Sequence, residues 1–129
     1  GWSGERVAVE VDPGSDDAAL DACGASLATD DATVLLVVAD GSASRTEKAP
    51  ASLHPDAAAF DESVAKALAS GDPAELAALD PLTAVAVTAS GRPAWRVAAA
   101  ALQGTAYDAE LLADEAPYGV GYLVARWTR

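Results

Sequence analysis

Apolar side chains fall on alternate positions from Arg6 to Val11, at Val7, Val9 and Val11, and this period of two predicts a half-buried strand. Asp12-Pro13-Gly14 ends it. Ser15 is placed to cap a helix running to about Thr29, with Asp16 and Asp17 in the first turn, where the helix dipole favours acids, and Leu20 and Leu27 on the apolar side. Thr33 to Ala39 is short, β-branched and apolar throughout, the pattern of a strand covered on both faces in a parallel sheet. Strand, helix, strand is one right-handed crossover unit. It sets Asp40-Gly41-Ser42 just past the end of the second strand, where open α/β sheets hold their ligands.

From Ala43 to Pro55 the chain is polar and aperiodic, a long loop of the kind that is often functional. Phe60, Val64 and Leu68 then recur at four-residue spacing, which predicts an amphipathic helix over Asp56 to Ser70 closed by Gly71. Asp72-Pro73-Ala74-Glu75 supplies a cap, a proline at the first helical position and a glutamate at the third, for a short helix through Leu79. Asp80-Pro81 repeats the device for a helix to about Ala89. After Gly91-Arg92-Pro93 a further helix is expected over Ala94 to Leu102. Tyr107 to Leu112 and Val120 to Trp127 read as two strands joined by a turn near Ala116-Pro117-Tyr118-Gly119.

The pattern predicts a single α/β domain over 1–129: a small, mostly parallel sheet flanked by helices, with a C-terminal β-hairpin. Two crossover strands and a hairpin are few for so many helices. The expectation is therefore a missing partner, either an N-terminal segment upstream or a second subunit, and a dimer or other homo-oligomer to cover the open sheet edge.

Composition sharpens this picture. The chain has 129 residues and a hydrophobic fraction of 51%, yet alanine supplies much of it; with one Phe and no Met, Val and Leu must fill a thin core. Eight basic residues against 20 acidic ones give a net charge of −12, which repels nucleic-acid phosphates and anionic bilayers and removes both from the expected partners. The lone Cys23 excludes an internal disulfide and reads as a buried helical thiol in a reducing, cytoplasmic compartment. No apolar run reaches the roughly 18 residues of a spanning helix, and the amino terminus lacks a signal-peptide pattern. A start at Gly1 without Met reads as a processed or truncated product. Trp2, Trp95 and Trp127 are scattered, as packing residues of a core or interface are.

Candidate chemistry gathers at the strand end. Asp40, Ser42 and Glu47 lie close in sequence, with Arg45 and Lys48 interleaved, and could position a polar substrate or exchange protons if burial shifts a carboxylate. They could equally be a turn and a solvated pair. His54 is the only histidine, and a non-haem iron site commonly needs two histidines and a carboxylate, so this chain is not expected to ligate a metal fully. No Gly-x-Ser-x-Gly nucleophile frame, dinucleotide fingerprint or phosphate loop occurs.

The run Asp40-Gly41-Ser42-Ala43-Ser44-Arg45-Thr46-Glu47-Lys48-Ala49-Pro50, the Phe60-Asp61 pair in the following helix and the late Ala116-Pro117-Tyr118-Gly119-Val120-Gly121-Tyr122 resemble actinobacterial proteins of the class III extradiol ring-cleavage dioxygenase family, in the group related to its B-type subunit. The resemblance covers nearly the whole chain and implies the carboxyl-terminal half of that fold. It also implies aromatic ring opening at Fe(II) or another divalent metal held by two histidines and a glutamate. The first ligands belong to an amino-terminal half with a Cys-Pro-His-Pro type segment, which this sequence does not contain. Where active members carry a Gly-x-x-Ser-His type turn with a catalytic histidine, this chain has Asp40-Gly41-Ser42-Ala43, with alanine in the histidine's place. Around Trp95, Arg92 and Arg96 stand where a metal-binding glutamate is sought.

Three readings follow. The leading one is a dioxygenase-family protein that is catalytically incomplete in this chain, with Asp40, Ser42, Glu47 and His54 as candidate substrate or metal-supporting residues. The second is a non-enzymatic interaction or structural module whose 40–55 loop binds a partner chain. The third is a small enzyme that works with carboxylates alone.

Overall fold

In the computed structural model, which describes residues 3–27 and 29–129, the first helix α1 spans Asp17–Ala25. Its cap is Asp16 rather than Ser15: the Asp16 Oδ1 accepts the Ala19 N–H at 2.8 Å, satisfying a donor that the first turn leaves without a partner. The helix stops well before Thr29. Ser26 sends its N–H back to Ala22 and Cys23 and its hydroxyl to the Cys23 carbonyl at 2.6 Å, a local bonding that competes with another helical turn. Cys23 is part-exposed, not buried. Trp2 lies outside the described residues.

Helix α2 (Ala57–Ser70) follows its spacing closely and ends at Gly71, whose φ of 70° suits a residue without a side chain. Helices α3 (Pro73–Ala77) and α4 (Pro81–Ala86) begin as the two Asp-Pro pairs predict, with the Asp72 and Asp80 carboxylates accepting from Ala74 N at 2.9 Å and Thr83 N at 2.7 Å. The Asp72 N–H donates to Ser70 Oγ at 3.1 Å rather than to Glu75. Helix α4 falls short of Ala89 because Thr88 turns into the left-handed region at φ 55°. Helix α5 (Arg92–Leu102) starts two residues before the predicted Ala94, since Pro93 in a first turn costs no hydrogen bond.

The hairpin forms from β1 (Asp108–Glu115) and β2 (Tyr122–Thr128), antiparallel from Asp108 opposite Thr128 to Glu115 opposite Tyr122, with an irregularity between Leu111 and Ala113. Ala109, Leu111, Leu123, Ala125 and Trp127 alternate inward. The hairpin packs on α2, where the Trp127 indole N–H donates to the Leu68 carbonyl at 2.6 Å and its ring stacks on Tyr107.

The expected parallel sheet is not among the described elements, whose one sheet is this antiparallel pair. Residues 7–11 and 33–39 run as chain without a ladder, and among the described residues no backbone hydrogen bond reaches 7–11 or 34–39. A strand's donors and acceptors point to its two edges and need a neighbour there, whereas the hairpin strands pair with each other. What the chain does form is a small α/β domain in which helices outweigh the sheet.

Helix α5 is the hub. It packs on α1 and on α3. Contact with α1 is close because Gly24 has no Cβ: one built there would sit 2.3 Å from the Val97 carbonyl oxygen. Arg92 and Arg96 of α5 form ion pairs with Asp17 and Asp21 of α1, and the same guanidiniums donate to the Leu79 and Ala77 carbonyls. Two arginines thus join α1, α5 and the end of α3. The core beneath holds Phe60, Val64, Leu76, Leu79, Val87 and Trp95 with alanines between them. That is thin, as the composition predicts. No helix among the described residues is long and apolar enough to cross a membrane.

Candidate functional site

The polar run after Ala39 is not a loose surface loop but a strap laid into the domain. The Gly41 N–H donates to the Gly121 carbonyl at 3.1 Å, the Gly121 N–H returns to Ser42 O at 2.8 Å, and the Arg45 N–H reaches Gly119 O at 3.0 Å. On the other side the Ala43 N–H and Ser44 hydroxyl both donate to the Val87 carbonyl. Ser42 and Ser44 are buried in consequence.

At the centre stands Asp61, a buried acid on the inward face of α2 beside Phe60 and Val64. Its Oδ1 accepts the Ser42 N–H at 2.8 Å; its Oδ2 accepts the Ser42 hydroxyl at 2.7 Å and the Arg45 guanidinium at 3.1 Å. An ionised carboxylate can stay inside a protein only when its lone pairs are met in this way. Gly121 closes the fourth side: a Cβ there would sit 2.4 Å from the Asp61 Oδ2. Gly119, with φ 77°, makes the tight turn that brings the hairpin end to the strap, with Ala49 and Thr46 against it.

The predicted site residues therefore separate. Ser42 is buried and committed to Asp61. Asp40 is exposed at the start of the strap, where its carbonyl accepts the Gly91 N–H at 3.0 Å. Glu47 and Lys48 are exposed at the outer bend. His54 is half-buried at the far end: its N–H donates to Ser44 O, and its Nδ1 accepts the Asp56 N–H at 3.2 Å. The Asp56 side chain itself makes no cap hydrogen bond. Asp40, Ser42, Glu47 and His54 thus lie on one strap without converging on one point.

Asp61 is the residue that a search for chemistry along the sequence misses. Its signal is there all the same: an acid between Phe60 and Val64, on the face that the four-residue spacing assigns to the core. Such a residue has to find donors.

A divalent metal does not fit this arrangement. The Asp61 oxygens are already occupied by Ser42 and Arg45, and no group of three His, Cys, Asp or Glu side chains among the described residues is placed to hold an ion. Arg92 and Arg96, near the sought glutamate position, are spent on Asp17 and Asp21. Their hydrogen bonds hold both carboxyls below the ordinary carboxylate range. An open groove of about 500 Å³ lies beside this pair, bordered by Pro13, Ser15, Val85, Thr88 and Pro93. It is lined mainly by apolar atoms and separate from the strap.

No family model, curated protein or solved structure matches this chain.

Proposed function

We propose that this chain is the carboxyl-terminal portion of a class III extradiol ring-cleavage dioxygenase-family protein, of the group related to the B-type subunit, supplying scaffold and rim to a site whose metal ligands lie elsewhere. One observation carries the reading. The three stretches on which the resemblance rests are far apart in sequence, yet Gly41, Ser42 and Arg45 from the first, Asp61 from the second and Gly119 and Gly121 from the third meet in one hydrogen-bonded junction. Within this junction the three stretches share one physical task, the satisfaction of a buried carboxylate.

In this reading the chain alone is catalytically incomplete. Ala43 occupies the position of the histidine that would move protons from a catechol, and its own N–H is used on Val87. Asp40, Glu47 and His54 border the rim, Ser42 shapes it, and Fe(II) or another divalent ion belongs to an N-terminal segment or second subunit. The extended segments 7–11 and 33–39 then become members of a mostly parallel sheet completed by that partner, in a cytoplasmic protein. The gene upstream of Gly1 provides the test: a segment with two histidines close to a predicted strand end supports the proposal, and a segment without them removes the dioxygenase assignment.

The second reading, a non-enzymatic module that binds a partner through the 40–55 loop, has one observation on its side. Leu53 is largely exposed on an otherwise anchored strap. A catechol panel on the longer gene product separates the two, since the module binds none.

A further inference from the structure

Along residues 34–39 exposure alternates from one side chain to the next while the chemistry stays apolar, so the two faces differ in surroundings only. Ala39 packs on the helical core, and Leu35 and Val37 on the same face are about two-thirds covered; Val34, Leu36 and Val38 on the opposite face are 73%, 84% and 82% exposed. Three large apolar side chains in a row facing solvent are unusual for a finished surface. The main chain points the same way. Among the described residues, none of the N–H or carbonyl groups of 34–39 takes part in a backbone hydrogen bond, so two strand edges are open as well as one apolar face.

We infer that residues 34–39 are a docking strand for a segment from outside these 129 residues that joins by β-pairing and carries apolar residues between basic flanks. Helices satisfy their own backbone and would leave the edges of 34–39 open, so the occupant is a strand. Charge selects among strands. The segment contains no charged side chain, is preceded by Asp30 and Asp31 and is followed by Asp40; Arg129, bound to Asp31, offsets one of these acids. A second copy of this chain would bring a further net charge of −12 against the first, with acids again at the strand ends. A strand with lysine or arginine at its ends meets the same edge with attraction instead. The inference does not depend on the dioxygenase assignment.

The test uses the whole 129-residue chain. The probe is a synthetic strand of alternating valine and threonine with two lysines at each end, compared with the same strand flanked by glutamates and with a lysine-flanked version interrupted by prolines. Amide hydrogen exchange of residues 34–39 is the readout. The lysine-flanked strand should slow exchange there by about tenfold or more, and the glutamate-flanked and proline versions should not. Leu36→Lys, at a side chain with nothing to lose in the core, should abolish the protection while leaving the helical circular dichroism intact. Equal protection by lysine and glutamate strands, or by none, overturns the inference. So does protection that rises with the concentration of the chain alone, which would make the occupant a second copy.

Discussion

Ser42 donates to Asp61 twice, through its backbone N–H at 2.8 Å and its hydroxyl at 2.7 Å, across 19 positions of sequence. Both groups are buried, so losing the carboxylate strands two donors and the Arg45 charge at once. Asp61→Ala should cost about 2–4 kcal/mol and Ser42→Ala about 1–2 kcal/mol in urea unfolding. The double variant should cost less than the sum, because both act on one network. Losses below about 0.5 kcal/mol for Asp61→Ala would show that the carboxylate is not the anchor of the strap.

Gly121 tests the same junction by adding atoms instead of removing them. A methyl group there meets the Asp61 Oδ2 at 2.4 Å and Asp61 Cγ at 2.8 Å, and the carboxylate cannot retreat without leaving Ser42. Gly121→Ala should destabilise by about 1–3 kcal/mol. Gly104→Ala is the control for steric crowding, since nothing lies within 4 Å of its added carbon; its φ of 83° leaves only backbone strain. Thermal unfolding of the two variants separates crowding from strain.

Helix packing gives a third expectation. Gly24→Ala would press on the Val97 carbonyl at 2.3 Å and the Ala100 Cβ at 2.6 Å, forcing α1 away from α5. The Asp21–Arg96 pair spans that same contact and should loosen with it. A fall in melting temperature accompanied by faster exchange in α1 is the expected result.

Acid should weaken this contact in a defined direction. The Arg92 hydrogen bonds on Asp17 and the Arg96 hydrogen bonds on Asp21 lower both folded-state pKa values beneath the ordinary aspartate value. The stabilisation is therefore fully present above the unfolded-state carboxyl pKa of about 3.9 and is lost as pH falls through the lowered folded values. Arg96→Gln removes the Asp21 partner, so its urea midpoint should fall less steeply than that of the parent chain below about pH 4. Parallel pH curves would assign acid sensitivity to other groups.

Much of this architecture is legible in local chemistry. The Phe60, Val64, Leu68 period sets α2, Asp72-Pro73 and Asp80-Pro81 set two helix starts, and the turn near Pro117 sets the hairpin. Helix ends are less legible, because they depend on competing bonds such as the Ser26 hydroxyl on Cys23 O and on the left-handed turn at Thr88. The parallel sheet is the largest departure. Val34 to Ala39 has the side chains of a central strand, but pairing is a property of neighbours, and among the described residues none forms a ladder with it. At the candidate site, Ser42 stands out in the sequence for a catalytic reason and holds a structural post. Asp61 is harder to see, because an acid inside a helix pattern reads as surface until its face is counted.

We propose that this chain is the rim of a metal site and not the site itself. Iron content after loading with Fe(II), measured on this chain and on the longer product of its gene and paired with a catechol ring-cleavage assay, tests it most directly. Stoichiometric iron is expected in the longer product, and neither iron nor ring cleavage in the 129-residue chain. Iron bound by the 129-residue chain alone, or turnover there that Asp40→Asn abolishes, would contradict it.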